Sequence, residues 1–168
     1  NIAENKKEKC VQLLSKKTNK NDLTLDLKRQ KWLVITGAGK RDGVSEIVEV
    51  EKYIKKSIND LSIYIYRYDG SLEKGDERVK VLRDFEKTNG VLVACQMMNE
   101  GVDVNGLSRA IIMASSQNET EWIQRKGRVL RINRSKKSNK DSFARIWDLL
   151  VLPDPNLIGD DQKNKFLI

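Results

Sequence analysis

Short apolar runs that alternate with helical patterns are the feature that most constrains how this chain folds. Trp32–Thr36 and Val91–Ala94 are short apolar runs, typical of strands that are buried on both faces. Segments such as Val44–Lys56 instead place apolar residues three and four positions apart, which is typical of amphipathic helices. Because strands alternate with helices, we expect an α/β fold: a mostly parallel central sheet flanked by helices, in three layers.

The pattern predicts the bounds of each element and of three larger parts. The predicted helices span residues 3–16, 44–56, 75–87 and 119–130. The predicted strands span residues 32–36, 62–66, 91–94, 109–113 and 143–150. We expect an N-terminal helix and connector over 1–30, the main domain over 31–152, and a tail over 153–168 that begins at Pro153.

Composition excludes several kinds of site. The chain has 168 residues, the size of one domain, and contains no histidine and two cysteines, Cys10 and Cys95, far apart in sequence. A zinc site and a histidine base are therefore excluded, and we expect two free thiols in a reducing cytoplasm. No apolar run approaches the ~20 residues that cross a bilayer, so no membrane partner is expected. Since the chain begins at Asn1, we expect it to be part of a longer protein.

Positive charge is concentrated near the C-terminal end. Residues 124–145 contain nine basic residues and one acid, a net charge of +8 that equals the net charge of the whole chain. Such a concentrated field favours a polyanionic partner, either a nucleic acid backbone or a nucleotide phosphate. The stretch from Lys136 to Lys140 is also typical of a solvated loop.

The glycine-rich segment Gly37-Ala38-Gly39-Lys40 follows a predicted strand but does not match a phosphate-binding loop. A Walker A loop has the pattern G-x-x-x-x-G-K-[ST], whereas Lys40 is followed by Arg41 and lacks the upstream glycine. A dinucleotide-binding pattern fails on spacing as well. We therefore expect a turn leading into a helix, and a chain that does not hold ATP by itself.

An arginine-rich segment, Gln124-Arg125-Lys126-Gly127-Arg128-Val129-Leu130-Arg131, lies on or beside the predicted helix 119–130. Helical spacing places Gln124, Arg128 and Arg131 on one face. Adjacent guanidinium groups repel each other unless an anion lies between them, and arginine binds phosphate oxygens in a bidentate manner. The segment therefore indicates a phosphate site, or else a solvated basic helix.

This segment resembles motif VI of superfamily 2 helicases. The form with Leu130, where many RNA helicases have glycine, resembles the branch of double-stranded DNA translocases and restriction or repair helicases. The resemblance implies that Arg128 and Arg131 are arginine fingers, which reach the γ-phosphate of ATP bound on another lobe and stabilise the transferring phosphoryl group.

Residues 91–104 resemble motif V of the same superfamily, a strand and a loop that ends in Gly-Val-Asp. The resemblance assigns ATP contacts to Gly101 and Asp103 and, in the arginine-rich segment, to Gln124. Residues 32–36 occupy the position of motif IV, and the turn Tyr68-Asp69-Gly70-Ser71 followed by Arg78 resembles the family's pattern after the second strand. The implied nucleic acid contacts are Thr36, Gly37, Arg78, Cys95, Gln96 and Ser115.

The resemblance covers residues 31–152 and implies a RecA-like fold. We expect the C-terminal lobe of an ATP-dependent superfamily 2 DNA helicase or translocase, inactive alone and monomeric. Its expected partners are double-stranded DNA and an N-terminal RecA-like lobe of the same polypeptide, which holds ATP and Mg²⁺. Two alternatives stay open: a non-enzymatic nucleic-acid-binding module that uses residues 124–145, and a stand-alone α/β enzyme, for which no carboxylate cluster or cofactor loop is present.

Overall fold

The computed structural model describes residues 2–15, 27, 30–41, 43–58, 60–72, 76–95, 106–114 and 145–150. Its helices are α1 (Ile2–Ser15), α2 (Glu46–Ser57) and α3 (Asp76–Lys87). Its strands are β1 (Lys31–Ile35), β2 (Lys40–Arg41), β3 (Val44–Ser45), β4 (Tyr64–Tyr68), β5 (Gly90–Ala94), β6 (Leu107–Ile112) and β7 (Arg145–Asp148). The predicted helix 119–130, with Trp122, lies outside the described residues.

Five strands form one parallel sheet in the order β4-β5-β1-β6-β7. The central strand β1 pairs with β5 on one side and β6 on the other. Helices α1 and α2 pack on one face of this sheet, and α3 packs on the other. The predicted three-layer α/β fold is therefore confirmed.

Strand β1 shows why the apolar runs have no polar alternation. Trp32 and Val34 lie in the cluster under α1 and α2, whereas Leu33 and Ile35 lie in the cluster under α3. All four side chains are buried, since successive residues of a strand point to opposite faces and both faces are covered. Trp32 also stacks on Trp147 of β7, with ring centroids 5.3 Å apart.

The buried faces of α2 and α3 follow helical spacing, with one exception. Ile47, Val50 and Ile54 of α2 are buried, as predicted. In α3 Phe85 is buried, with Val81 and Leu82 partly buried against the same cluster. Helical spacing predicts Val79 on one face with Leu82 and Phe85, but Val79 is 52% exposed, because it lies to the side of the face formed by residues 81, 82 and 85.

The start of α2 differs from the prediction. The spacing predicts a helix from Val44, but β2 and β3 pair antiparallel, Lys40 with Ser45 and Arg41 with Val44, and the helix begins at Glu46. Gly43 has a φ of +79°, which suits a two-residue hairpin turn. Strand β4 likewise begins two residues after its predicted start, because Asp60 Oδ1 accepts hydrogen bonds from the Ser62 N–H and hydroxyl in a turn.

The thiols and the tyrosines have distinct environments. Cys10 and Cys95 are both free and buried, so the predicted free thiols are confirmed, and burial raises the pKa of Cys10 to about 12. Because Tyr64, Tyr66 and Tyr68 alternate along a strand, their spacing predicts one shared, half-buried face. Their burial is graded instead, from Tyr64 at 55% exposed to Tyr68 at 6%. None of the described helices has the length and apolar character of a membrane span.

Candidate nucleic-acid interface

The carboxyl ends of the five strands are joined by backbone hydrogen bonds beyond the sheet itself. The Thr36 N–H donates to the Ala94 carbonyl at 2.8 Å, and the Met113 N–H donates to the Ile35 carbonyl at the same distance. The Cys95 N–H donates to the Tyr68 carbonyl at 3.3 Å. The segments that follow β1, β4, β5 and β6 therefore begin at one edge, which we call the carboxyl edge. Open α/β sheets bind their ligands there.

Two predicted contact residues at the carboxyl edge have buried side chains. The Thr36 side chain is fully buried, and its hydroxyl donates to the Ala94 carbonyl at 3.4 Å. The Cys95 thiol donates to the Gly37 carbonyl at 3.4 Å. Both side chains hold adjacent strand ends together, so a nucleic acid would meet the backbone at these positions. Their predicted contacts stay predictions.

Gly37 lies close to an acidic side chain. A Cβ atom on Gly37 would lie 2.6 Å from the Glu46 Oε2 atom and 3.5 Å from the Ala114 Cβ atom. Glu46 is the first residue of α2, and its N–H donates to the Gly39 carbonyl at 2.9 Å. A carboxylate therefore occupies the place beside the glycine-rich segment where a phosphate-binding loop would need positive potential.

The hairpin of residues 40–45 extends the carboxyl edge next to Gly37. Lys40, Gly43 and Val44 are exposed. The sequence prediction missed this hairpin, although Asp42-Gly43 is a strong signal for a two-residue hairpin turn. Hydrophobic periodicity does not reveal the hairpin, because the strands on either side of the turn are only two residues long and lack alternating hydrophobicity.

The side chain of Arg78, another predicted contact residue, has a buried nitrogen atom that could donate to an anion. It lies in the first turn of α3, and its side chain is partly buried. Among the described residues, its Nε atom is buried and has no hydrogen-bond acceptor. Because a buried donor without an acceptor is costly, this guanidinium group suits an incoming anion.

The turn after β4 is held by its own side chains. Asp69 is 7% exposed, and its Oδ1 atom accepts a hydrogen bond from the Ser71 N–H at 2.9 Å and another from the Ser71 hydroxyl. Its Oδ2 atom lies 3.2 Å from the Arg67 Nε atom. These contacts give Asp69 a structural role in the turn that directly follows β4.

Helix α1 is joined to the carboxyl edge by a lysine. The Lys6 Nζ atom donates to the Met113 carbonyl at 2.6 Å, directly after β6 ends. The neighbouring Lys7 binds Glu49 of α2 at 3.0 Å. The sequence prediction missed both contacts, because they join positions far apart in the chain.

The remaining predicted site residues lie outside the described residues. They are Gln96, Gly101, Asp103, Ser115, Gln124, Arg128 and Arg131. In the sequence, Gln96 directly follows Cys95, and Ser115 directly follows Ala114. Within the part of the chain that the structure describes, no group of three or more acidic or cysteine side chains could hold a metal ion.

Comparison with known families identifies the domain. The model of the helicase conserved C-terminal domain family matches residues 5–133, most of the chain. The chain belongs to this family. The match includes the sheet as far as β6 and both segments that resemble motifs V and VI, so the predicted membership among superfamily 2 helicase C-terminal domains is confirmed.

One curated relative is a plant helicase. This helicase C-terminal domain is 28% identical over 121 residues to the DEAD-box ATP-dependent RNA helicase 22 of Arabidopsis thaliana. The alignment covers 61% of this chain and 21% of that protein, so the chain spans about a fifth of its relative's length.

Solved helicase structures share the fold. Domain 2 of the DEAD-box helicase Mss116p, bound to an RNA duplex, has a TM-score of 0.63 at 15% identity, over 88% of this chain and 50% of that chain. The Escherichia coli DEAD-box protein SrmB, bound to RraA, has a TM-score of 0.62 at 17% identity, over 88% and 71%. The Hef helicase domain of Pyrococcus furiosus has a TM-score of 0.52 at 21% identity, over 89% and 26%. These similarities establish the RecA-like fold.

Proposed function

We propose that this chain is the C-terminal lobe of an ATP-dependent superfamily 2 DNA helicase or translocase, and that an N-terminal lobe of the same polypeptide holds ATP and Mg²⁺. The observation that carries the proposal is the family match over residues 5–133, because it includes residues 91–104 and 124–131 in the order that a helicase requires. The carboxyl edge, where ligands bind in such sheets, supports it.

Arg128 and Arg131 act on the phosphates in this proposal. Their contribution to hydrolysis is electrostatic: the two guanidinium groups stabilise the charge on the transferring phosphoryl group. Gly101, Asp103 and Gln124 would hold the ribose and the phosphates. ATP supplies the phosphoryl group, and its binding and loss change the distance between the two lobes.

The nucleic acid follows the carboxyl edge in this proposal. Arg78 binds a phosphate, which gives its buried Nε atom the acceptor that it lacks among the described residues. Gln96 and Ser115 add contacts from the segments after β5 and β6, and the backbone contributes at Thr36 and Cys95. Movement of this lobe relative to the N-terminal lobe then shifts the domain along the strand.

The choice of DNA depends on Leu130, which resembles the DNA translocase branch. RNA is the second candidate, favoured by the relative named as an RNA helicase and by the structure of Mss116p with an RNA duplex. The two substrates are separated by comparing how strongly duplex DNA and duplex RNA of equal length stimulate ATP hydrolysis by the full-length protein. We expect DNA to give the larger stimulation.

The arginine assignment is tested in the full-length protein with Arg128→Ala and Arg131→Ala. Each variant should lower DNA-stimulated kcat by about 10³-fold, because an arginine finger contributes that order of rate acceleration. Lys137→Ala, which removes a charge from the same basic region, is the matched control and should retain turnover. If both arginine variants fold and hydrolyse ATP at the normal rate, the assignment is wrong.

The non-enzymatic alternative makes a different prediction. If residues 124–145 form only an electrostatic patch, removing any one of their basic residues should weaken DNA binding by a similar factor, with a reduced dependence on salt. Under the helicase proposal, Arg128→Ala lowers the rate of hydrolysis by about 10³-fold, while DNA binding measured without ATP changes little. Measuring both quantities in the same variants separates the two functions.

A further inference from the structure

Two charges of opposite sign lie at the two ends of the hairpin of residues 40–45: Lys40 begins it and Glu46 directly follows it. The Lys40 ammonium is exposed at the start of β2, and the Glu46 carboxylate follows directly after β3. Within the described part of the chain, neither group forms an ion pair or a side-chain hydrogen bond. Their charges are therefore free to act on an approaching polyanion.

Glu46 makes the Gly37 position unfavourable for a phosphate. Its Oε2 atom lies so close that a Cβ on Gly37 would be 2.6 Å away, and 3.9 Å separates it from the corresponding position on Gly39. A phosphate that bound the backbone of this segment would face a carboxylate at short range. Repulsion between like charges in contact opposes that arrangement.

Lys40 is exposed and lies at the other end of the same hairpin from Glu46. Its pairing with Ser45 fixes its backbone directly beside the start of α2. Lysine binds phosphate as a mobile point charge, so an exposed lysine at this position suits a backbone contact.

We propose that Lys40 binds the phosphate backbone of the nucleic acid, and that Glu46 repels the backbone from Gly37, so that the strand passes over the hairpin. This inference rests on the proposed function, since it assumes that nucleic acid follows the carboxyl edge. It replaces the expected contact at Gly37 with one at Lys40, and it gives two neighbouring residues opposite effects on affinity.

The test is a titration of a fluorescein-labelled 20-base-pair DNA duplex with the 168-residue chain, followed by fluorescence anisotropy between about 50 and 200 mM salt. Lys40→Gln should weaken binding by roughly 3- to 10-fold and lower the slope of log K against log salt by about 0.9, as expected for one lost phosphate contact. Glu46→Gln should tighten binding by roughly 2- to 5-fold, because it removes the repulsion.

Each variant has a matched control. Lys56→Gln removes an exposed lysine from the last turn of α2, at the end opposite Glu46, and should leave affinity within about twofold. Glu46→Asp keeps the negative charge and should bind like the unaltered chain. Thermal unfolding of every variant establishes that the domain is intact.

The outcomes separate this inference from the proposed function. If the unaltered chain binds DNA but Lys40→Gln binds equally well, or Glu46→Gln binds more weakly, the inference is wrong and the helicase proposal stands. Weaker binding of Glu46→Gln would mean that the carboxylate accepts a hydrogen bond from the nucleic acid. If the unaltered chain binds neither the DNA duplex nor an RNA duplex of the same sequence, the inference is overturned, while hydrolysis by the Arg128 and Arg131 variants still decides the proposed function.

Discussion

The two edges of the sheet differ in what they require of glycine. At the amino-terminal edge, Gly90 begins β5 with a φ of +134°, and a Cβ atom there would lie 2.2 Å from the Tyr64 carbonyl oxygen. At the carboxyl edge, Gly43 has a φ of +79°, and no atom of the described residues lies within 4 Å of its Cβ position. The first glycine is required by packing and conformation together, and the second by conformation alone.

The two edges also differ in how far their backbone is covered by hydrogen bonds. The amino-terminal edge is closed by hydrogen bonds to backbone carbonyls: the Gly90 N–H donates to the Gln30 carbonyl, and the Lys31 ammonium donates to the Glu86 carbonyl. The carboxyl edge presents exposed backbone at Gly39 and Gly43. A closed edge contributes stability, whereas an open edge leaves room for a ligand.

Gly90→Ala should have the largest effect of the substitutions that test this comparison. The methyl group would collide with a backbone carbonyl, which cannot rotate away, and alanine rarely adopts this φ. We expect a loss of at least about 3 kcal/mol in the free energy of unfolding, and a fall in Tm of roughly 10 °C. Thermal and urea unfolding measure both quantities.

The control for Gly90→Ala is Gly39→Ala at the carboxyl edge. A Cβ atom on Gly39 meets only Glu46 Oε2 at 3.9 Å, an ordinary contact. This variant should change stability by less than about 0.5 kcal/mol. Equal losses at the two positions would contradict the contrast between a closed and an open edge.

The sequence predicted the buried strands and helix faces better than the exposed parts of the molecule. Hydrophobic periodicity predicts strand β1 and the buried residues Ile47, Val50 and Ile54, because apolar residues recur at the positions that face the core. The graded burial of the tyrosines does not follow from period. It depends on the edge position of β4 and on the contact of Tyr66 with Phe85, with ring centroids 5.7 Å apart.

The candidate site was predictable in part, for a related reason. The resemblance to motifs IV and V assigned Thr36 and Cys95 to the site, but the burial of their side chains depends on hydrogen bonds across the sheet. Glu46 was missed because its relation to Gly37 arises only when the hairpin of residues 40–45 forms. The roles of Arg128 and Arg131 follow from resemblance and stay predictions.

Gly43→Ala should have a smaller effect, because only backbone conformation opposes it. Placing alanine at positive φ in a turn costs about 1 kcal/mol, and no neighbouring atom adds a clash. Gly43→Asn is the matched control, since asparagine tolerates this conformation, and it should recover most of the loss. Urea unfolding of the two variants gives the comparison. A loss as large as that of Gly90→Ala would show that the hairpin is packed more tightly than its exposure indicates.

Lys6→Met should have the smallest effect on stability and the most local one. The substitution keeps the apolar part of the side chain but removes the hydrogen bond of 2.6 Å to the Met113 carbonyl. Because this site is only partly buried, water can replace the ammonium group, and we expect a loss of about 1 kcal/mol or less. Amide hydrogen exchange should rise at Met113 and Ala114 while α3 stays protected. Lys9→Met, at an exposed position of the same helix, should change neither quantity. Unaltered exchange after β6 in Lys6→Met would mean that α1 does not hold the start of the segment leading to Ser115, and that the carboxyl edge is ordered by the sheet alone.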